Sequence, residues 1–426
     1  MDPSGNHWLK SLVKNMHIVM NARHAIIKEL LCKYETDDEF VHFYIHSSGL
    51  FYGHINNHLL SKFSTMNTWS VADHYKVALI EGMFGAYIFR HKHDFLQSHD
   101  KSIFIEKALQ KIFEFYVVFT IKESYYARRK PRFSYRKHSQ IFELEKIINF
   151  RVNTPTMLNK GFWKGLHFNV FSYLDILFFL KWLRGDYLFD KQKEIKTTIL
   201  RAMISASFVD EKESKQDNTI IHYFIASGNV TADVEKELEH DIAQKLPVNS
   251  IHINSNFPPL IRMLMYEHAL IVLLNNAIEI QEKNHFLSQL AELCNLSEDE
   301  TDYSTMLVEN FIVHNTKHIL YLRQRFRFDF ITNNFASRFS TFFTKNKAKI
   351  TTELQESKEL MELLWKAKNE KLSDEEREKV KKQSIDLLRT IPSLAIFMIP
   401  GGSIVLPLLL KIIPEEILIP SSFRNS

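Results

Sequence analysis

An all-α, multi-helical fold is what this sequence predicts, and three observations lead to it. Glycine and proline number only eleven each in 426 residues, well under the usual shares of roughly 7% and 5%. Before the last 35 residues only Pro3, Pro131, Pro155, Pro247, Pro258 and Pro259 interrupt the chain, so long segments lack the turn chemistry of a β protein. Phenylalanine, at 34 copies against 15 tyrosines, suits wide helix–helix interfaces, and we read it as core filler.

The length leaves room for two or three domains and more than one sizeable core. Cys32 and Cys294, the two cysteines, lie far apart, which points to a reducing compartment rather than a disulfide framework. The segment MDPSGNHWLKSLVKNMH lacks the apolar core and cleavage site of a signal peptide, so the bulk of the chain is expected in the cytoplasm. A formal charge of +4 is too small to announce nucleic-acid binding by itself.

Residues 1–138 form an N-terminal helical region. Within it, 7–60 read as two helices, the second carrying DDEFVHFYIHSSGLFYGHINNHLL around Gly49 and Gly53. His42, His46, His54 and His58 make two pairs at i, i+4 spacing, which can chelate a metal on a helix face. No Glu follows the first His as in the zinc-protease motif, and no Cys is near. With 20 histidines in the chain, we read them as structural or surface residues, with no metal assigned. Residues 73–127 continue with aromatic-rich helical periodicity, and His91, His93, Asp94, His99 and Asp100 read as a solvated helix end.

A basic, turn-prone link follows at ARRKPRFSYRKH. Arg128, Arg129, Lys130, Arg132, Arg136 and Lys137 can engage phosphates, with Phe133 and Tyr135 available to stack. The competing reading is a solvated loop drawn to an anionic membrane, at about 1 kcal/mol per basic residue near the surface.

Residues 139–310 hold two helical blocks, 139–246 and 260–310, separated by the Pro/Asn/Ser stretch LPVNSIHINSNFPP. The first contains FIASGNVTADVE and the second LAELCNLSEDET, each following an acid-rich segment. Ser297 with Glu300 has the spacing of a capping box, and Thr231 stands at a similar helix start. Two such blocks in tandem suggest a duplicated unit. The pattern resembles the TerB-like helical domain of tellurite-resistance proteins, over about a quarter of the chain. The Ala-Asp-Gly triplet common in that family is missing, since Ser207-Phe208-Val209-Asp210 stands there, so the metal binding of some relatives is not carried over.

Residues 311–386 form a basic, aromatic and charged helical region. It opens with FRFDFITNNFASRFSTFFTKNKAKI, continues through TTELQESKELMELLWKAKNEK, and restarts at a capping box of Ser373 and Glu376.

Residues 387–426 carry five of the eleven prolines, Pro392, Pro400, Pro407, Pro414 and Pro420. No charge occurs from Ile391 to Leu410, and Lys411 alone precedes Pro414. About 20 apolar residues suffice to cross a bilayer core. A proline inside a helix costs about 3 kcal/mol or more, so the segment is broken, with Gly401-Gly402 a second weak point. Its Leu, Ile, Val and Phe residues favour insertion by roughly −3 to −7 kcal/mol as an upper bound. Lys379, Lys381, Lys382 and Arg389 precede the run and Glu415 and Glu416 follow it, which places the preceding domains on the cytoplasmic side.

The segment from Glu359 to Phe423 resembles the membrane-proximal region of the LETM family. The resemblance rests on Arg389, on Pro392, Pro400 and Pro407, on Lys411, and on the Pro-Ser-Ser-Phe of 420–423. The chain as a whole looks closest to the bacterial group of LETM-related, biofilm-associated proteins. The resemblance implies membrane attachment, a ribosome-binding soluble region and a disputed cation/proton exchange. The EF-hand of mitochondrial relatives is not matched: the loop starting at Asp299 has Thr301 and Tyr303 at ligand positions and no central Gly.

There is no Gly-x-Ser-x-Gly, phosphate loop or dinucleotide fingerprint, so no catalytic residue, cofactor or small-molecule substrate is assigned. The sequence therefore predicts a non-enzymatic, membrane-associated protein of the bacterial inner membrane, with ribosome or RNA as partner. The membrane segment is carried by Ile391, Pro392, Pro400, Gly401, Gly402, Pro407, Lys411 and Pro414, and a second copy of the chain joins the expected partners through it, as a homo-oligomer. Two alternatives stand beside it: cation or proton transport through an oligomerised C-terminal segment, or a soluble helical scaffold that buries the tail. Against transport, the run has no intramembrane carboxylate.

Overall fold

A computed structural model describes residues 1–22, 24–56, 58–122, 140–153, 168–209, 218–228, 230–275 and 280–322. Beyond these it describes residues 338, 341, 344, 352, 357–373, 375–377, 379, 380 and 383. The protein is all-helical, and no strand occurs among the described residues. It divides into two compact units, Met1–Ser297 with His318–Arg325, and Glu298–Lys317 with Phe326–Ser426.

The first unit opens with α1 (Trp8–Ala22), α2 (His24–Lys33) and α3 (Asp37–Ser48). This is three helices where the sequence suggested two across 7–60. Thr36 and Glu39 start α3 with a full capping box, and Asp37, Asp38 and Glu39 fill its first turn, where acids favour the helix dipole. Gly49 stops it in the left-handed region at φ 88°, a conformation glycine adopts without cost. A short 3-10 turn, Leu50–Tyr52, follows. His54 and His58 consequently lie in irregular chain, not on a helix face as their spacing had suggested.

Ser70 and Asp73 cap α4 (Val71–Arg90), which is buried almost continuously from Tyr75 to Phe89. Around this central helix pack α3, α6 (Ser102–Lys122), α7 (Gln140–Val152) and α8 (Leu174–Leu183), with the short α5 (Lys92–Gln97) at its end. Gly82 lets them close in: a Cβ there would lie 2.6 Å from Tyr44 Cε1 and against Ile176. From α7, Glu145 accepts the backbone N–H groups of His7 at 2.8 Å and Leu9 at 3.0 Å. These are donors that the start of α1 leaves without an intrahelical partner.

The core holds a bidentate ion pair. Arg151 of α7 donates through Nε to Asp175 Oδ2 of α8 at 2.7 Å and through a second nitrogen to Oδ1, while Tyr116 of α6 donates to Oδ2 at 2.9 Å. At the rim, Asp37 and Asp38 at the start of α3 pair with Arg90, Lys181 and Arg184.

The rest of the unit comprises α9 (Gln192–Ser207), α10 (Asn218–Ser227), α11 (Ala232–Ala243), α12 (Pro259–Asn275) and α13 (Ile280–Leu293). The most extensive pairing is α9 on α12, with α10 and α11 also against α9. Thr231 has the extended backbone of a cap before α11, but its hydroxyl makes no capping bond and, among the described residues, is buried without a partner. It caps by backbone shape alone.

In the second unit the described helices are α14 (Glu298–Asn315) and α15 (Lys358–Asn369). Arg338 faces Asp302 at 3.9 Å and Glu309 at 3.7 Å. After α15 the chain turns and restarts at the Ser373–Glu376 capping box, with Glu376 N–H donating to Ser373 Oγ at 3.2 Å and Ser373 N–H to Glu376 Oε2 at 2.9 Å. The two arms are laced by Lys366–Glu376 at 2.6 Å, Lys379–Glu359 at 3.3 Å and Gln383–Glu359 at 2.6 Å. Leu360, Leu364, Leu372 and Val380 are buried there.

Candidate functional site: a buried His-Glu-His cluster and the C-terminal region

One turn of α3 separates His42 from His46, so both imidazoles project from one helix face. Their rings meet edge-on, centroids 4.8 Å apart at 87°. Glu267 reaches them from α12. Its Oε1 lies 2.8 Å from His42 Nε2 and its Oε2 lies 3.0 Å from His46 Nε2. All three side chains are buried. A carboxylate only accepts hydrogen bonds, so each Nε2 carries the hydrogen and donates. That leaves His46 Nδ1 to accept from the Tyr52 hydroxyl at 2.6 Å.

Burial pushes the His46 pKa down to about 4 against the pull of Glu267, so at neutral pH the ring is neutral. Burial also opposes ionisation of Glu267, but the charges and hydrogen bonds of His42 and His46 outweigh it and hold the carboxyl below its usual range. Tyr52 stays protonated, its pKa raised by burial and then by the Glu267 charge. Around the cluster lies an aromatic shell. Phe51 is centred 4.5 Å from His46 and 4.1 Å from His268, and His268 contacts Tyr173, Phe171 and Phe224.

The second histidine pair goes elsewhere. His54 stacks on His318 at 5.2 Å. His58 approaches Glu81 of α4 at 3.5 Å and His74 at 3.0 Å, with Trp69 against both rings. Thus the four histidines do not converge, and Glu267 joins the first pair instead. Among the described residues, His42, His46 and Glu267 are the one group with the geometry of a metal site. Sequence reasoning missed Glu267 because it lies 221 residues from His46. The one available signal was an acid inside the apolar helix PLIRMLMYEHALIVLLN, since such a residue is almost never fully buried unless paired.

The other two groups predicted from sequence lie outside the described residues. These are the basic run Arg128, Arg129, Lys130, Arg132, Arg136 and Lys137, and the C-terminal segment with Ile391, Pro392, Pro400, Gly401, Gly402, Pro407, Lys411 and Pro414. Among the described residues, no helix is long and apolar enough to cross a membrane.

Comparison with curated proteins and with solved structures gives no match. Residues 372–426 match the family model described as LETM1-like, RBD, the last word standing for ribosome-binding domain. The matched region begins at Leu372, where the turn after α15 enters the Ser373–Glu376 capping box. From that point to its end, the chain is similar to the ribosome-binding domain of the LETM1-like family.

Proposed function

We propose that this chain is a non-enzymatic, ribosome-binding protein of LETM-like type. It would be held at the inner face of a bacterial membrane by its C-terminal apolar run, with its helical units on the cytoplasmic side. The observation that carries the reading is the family match over 372–426. Charge supports it: Lys379, Lys381, Lys382 and Arg389 precede the apolar run, and the basic run 128–137 adds a second set of cations suited to phosphate. The helical blocks of 139–310, with their TerB-like pattern, serve in this reading as the body that presents these contacts. Kinship with the biofilm-associated bacterial group belongs to the same proposal.

Two experiments test it. Full-length protein should co-sediment with bacterial ribosomes at low salt and be released as salt rises. Its absence from the ribosomal pellet even at low salt removes the ribosome as partner. In membranes from expressing cells, the protein should resist alkaline carbonate and require detergent. Release by carbonate alone would rule out a membrane-embedded tail.

A further inference from the structure

The fold brings two imidazole nitrogens and a carboxylate together in a closed part of the core. Both imidazoles are aimed at the carboxylate: His42 Nε2 at Oε1 and His46 Nε2 at Oε2 of Glu267, at 2.8 and 3.0 Å. A buried carboxylate is costly unless paired or bound to a metal, and here it faces two imidazoles whose Nε2 atoms lie within 3.0 Å of its oxygens. Replacing the Nε2 hydrogens by one divalent ion satisfies all three groups. A tetrahedral site with bonds of about 2.0–2.1 Å sets its ligand atoms about 3.3 Å apart; the two imidazole–carboxylate contacts need open by only about half an ångström or less, and all three ligand atoms lie within 4.8 Å of one another.

We propose that His42, His46 and Glu267 form a structural site for a divalent transition metal, Zn2+ being the ion it fits. Two nitrogens and one carboxylate oxygen match the ligand chemistry of zinc. Ca2+ and Mg2+ demand oxygen ligands, and no thiol is present to favour softer ions. Water completes the tetrahedron. Zinc takes Nε2 of each ring, so the ring hydrogen resides on Nδ1. At His46 that nitrogen already faces the Tyr52 hydroxyl at 2.6 Å, which then accepts the hydrogen bond. Such a partner orients a metal-bound imidazole. The ion would fasten α3 to α12 across more than 220 residues of chain, which makes its role structural.

The test uses the full chain, stripped with a chelator and then equilibrated with buffered free Zn2+. The site predicts one zinc per chain and a higher unfolding temperature in the zinc form. His42→Gln and His46→Gln should lose both, while His58→Gln keeps both. Tyr52→Phe should bind zinc about 10–100-fold more weakly. Should the ligand variants fail to fold, X-ray absorption of the wild-type zinc form reads the site without them. It should show two imidazoles plus oxygen at about 2.0–2.1 Å. Failure of the stripped protein to take up zinc at micromolar free ion would overturn the proposal. So would zinc retained equally by His46→Gln, sulfur in the coordination shell, or preferential uptake of Fe2+ over Zn2+ in competition. None of these outcomes bears on ribosome binding, which is read separately.

Discussion

His74 sits half-buried between His58 and Trp69, with its Nδ1 3.0 Å from His58 Nε2. Burial, reinforced by the neighbouring His58, pushes its pKa down to about 4, whereas a histidine in the unfolded chain titrates near ~6.5. Between those values the unfolded state binds a proton that the folded state refuses, so this contribution to stability is complete above the unfolded pKa and is lost as pH falls toward 4. His74→Gln should therefore flatten the pH dependence. Relative to wild type, the variant should gain in denaturation midpoint as pH drops from about 7 to about 4.5. Parallel curves would show that His74 does not control this window. At the same scale lies the limit of what single residues reveal in sequence. The i, i+4 spacing of His42 and His46 is visible in the chain, but their pairing with Glu267 depends on how α3 and α12 pack. The spacing of His54 and His58 looks the same on paper, yet Gly49 and Gly53, with φ of 88° and 72°, turn the chain before them. Helical arithmetic does not survive that turn.

Helices were the most legible elements, because their signals are local. The Ser373–Glu376 capping box is present at its predicted place, and the aromatic-rich stretch after residue 73 is helical through α4, α5 and α6. Close approach between helices was not legible. Gly82 and Gly85 look in sequence like weak points of α4, since glycine destabilises a helix interior by roughly 1 kcal/mol relative to Ala. In the fold Gly82 is where Tyr44 of α3 and Ile176 of α8 meet α4. Tyr44 cannot easily retreat, because its hydroxyl donates to Ala78 O at 2.7 Å in the buried interface. Gly82→Val should lower stability by about 1–3 kcal/mol, the usual cost of overpacking, measured by chemical denaturation. A neutral or stabilised variant would mean that these three helices are less tightly apposed than the structure has them.

At the scale of the whole molecule, composition was enough to set the class: few glycines and prolines and many phenylalanines gave a helical protein. It could not set function, and the proposed function rests on the family match from Leu372 onward. The described start of that region is a charged helical turn, stapled by Lys366–Glu376 and Lys379–Glu359, leading into the basic residues before the apolar run. If those cations meet ribosomal RNA, affinity should fall steeply with salt, since each phosphate contact releases condensed counterions. The most direct measurement is co-sedimentation of the full chain with purified ribosomes over a salt series. Wild type would be run beside a variant carrying Lys379→Glu, Lys381→Glu and Lys382→Glu. The expected result is binding at low salt that weakens as salt rises, with a shallower salt dependence and several-fold weaker binding in the variant. Equal pelleting of both proteins at every salt concentration, or no pelleting of either, would contradict a ribosome-binding C-terminal region.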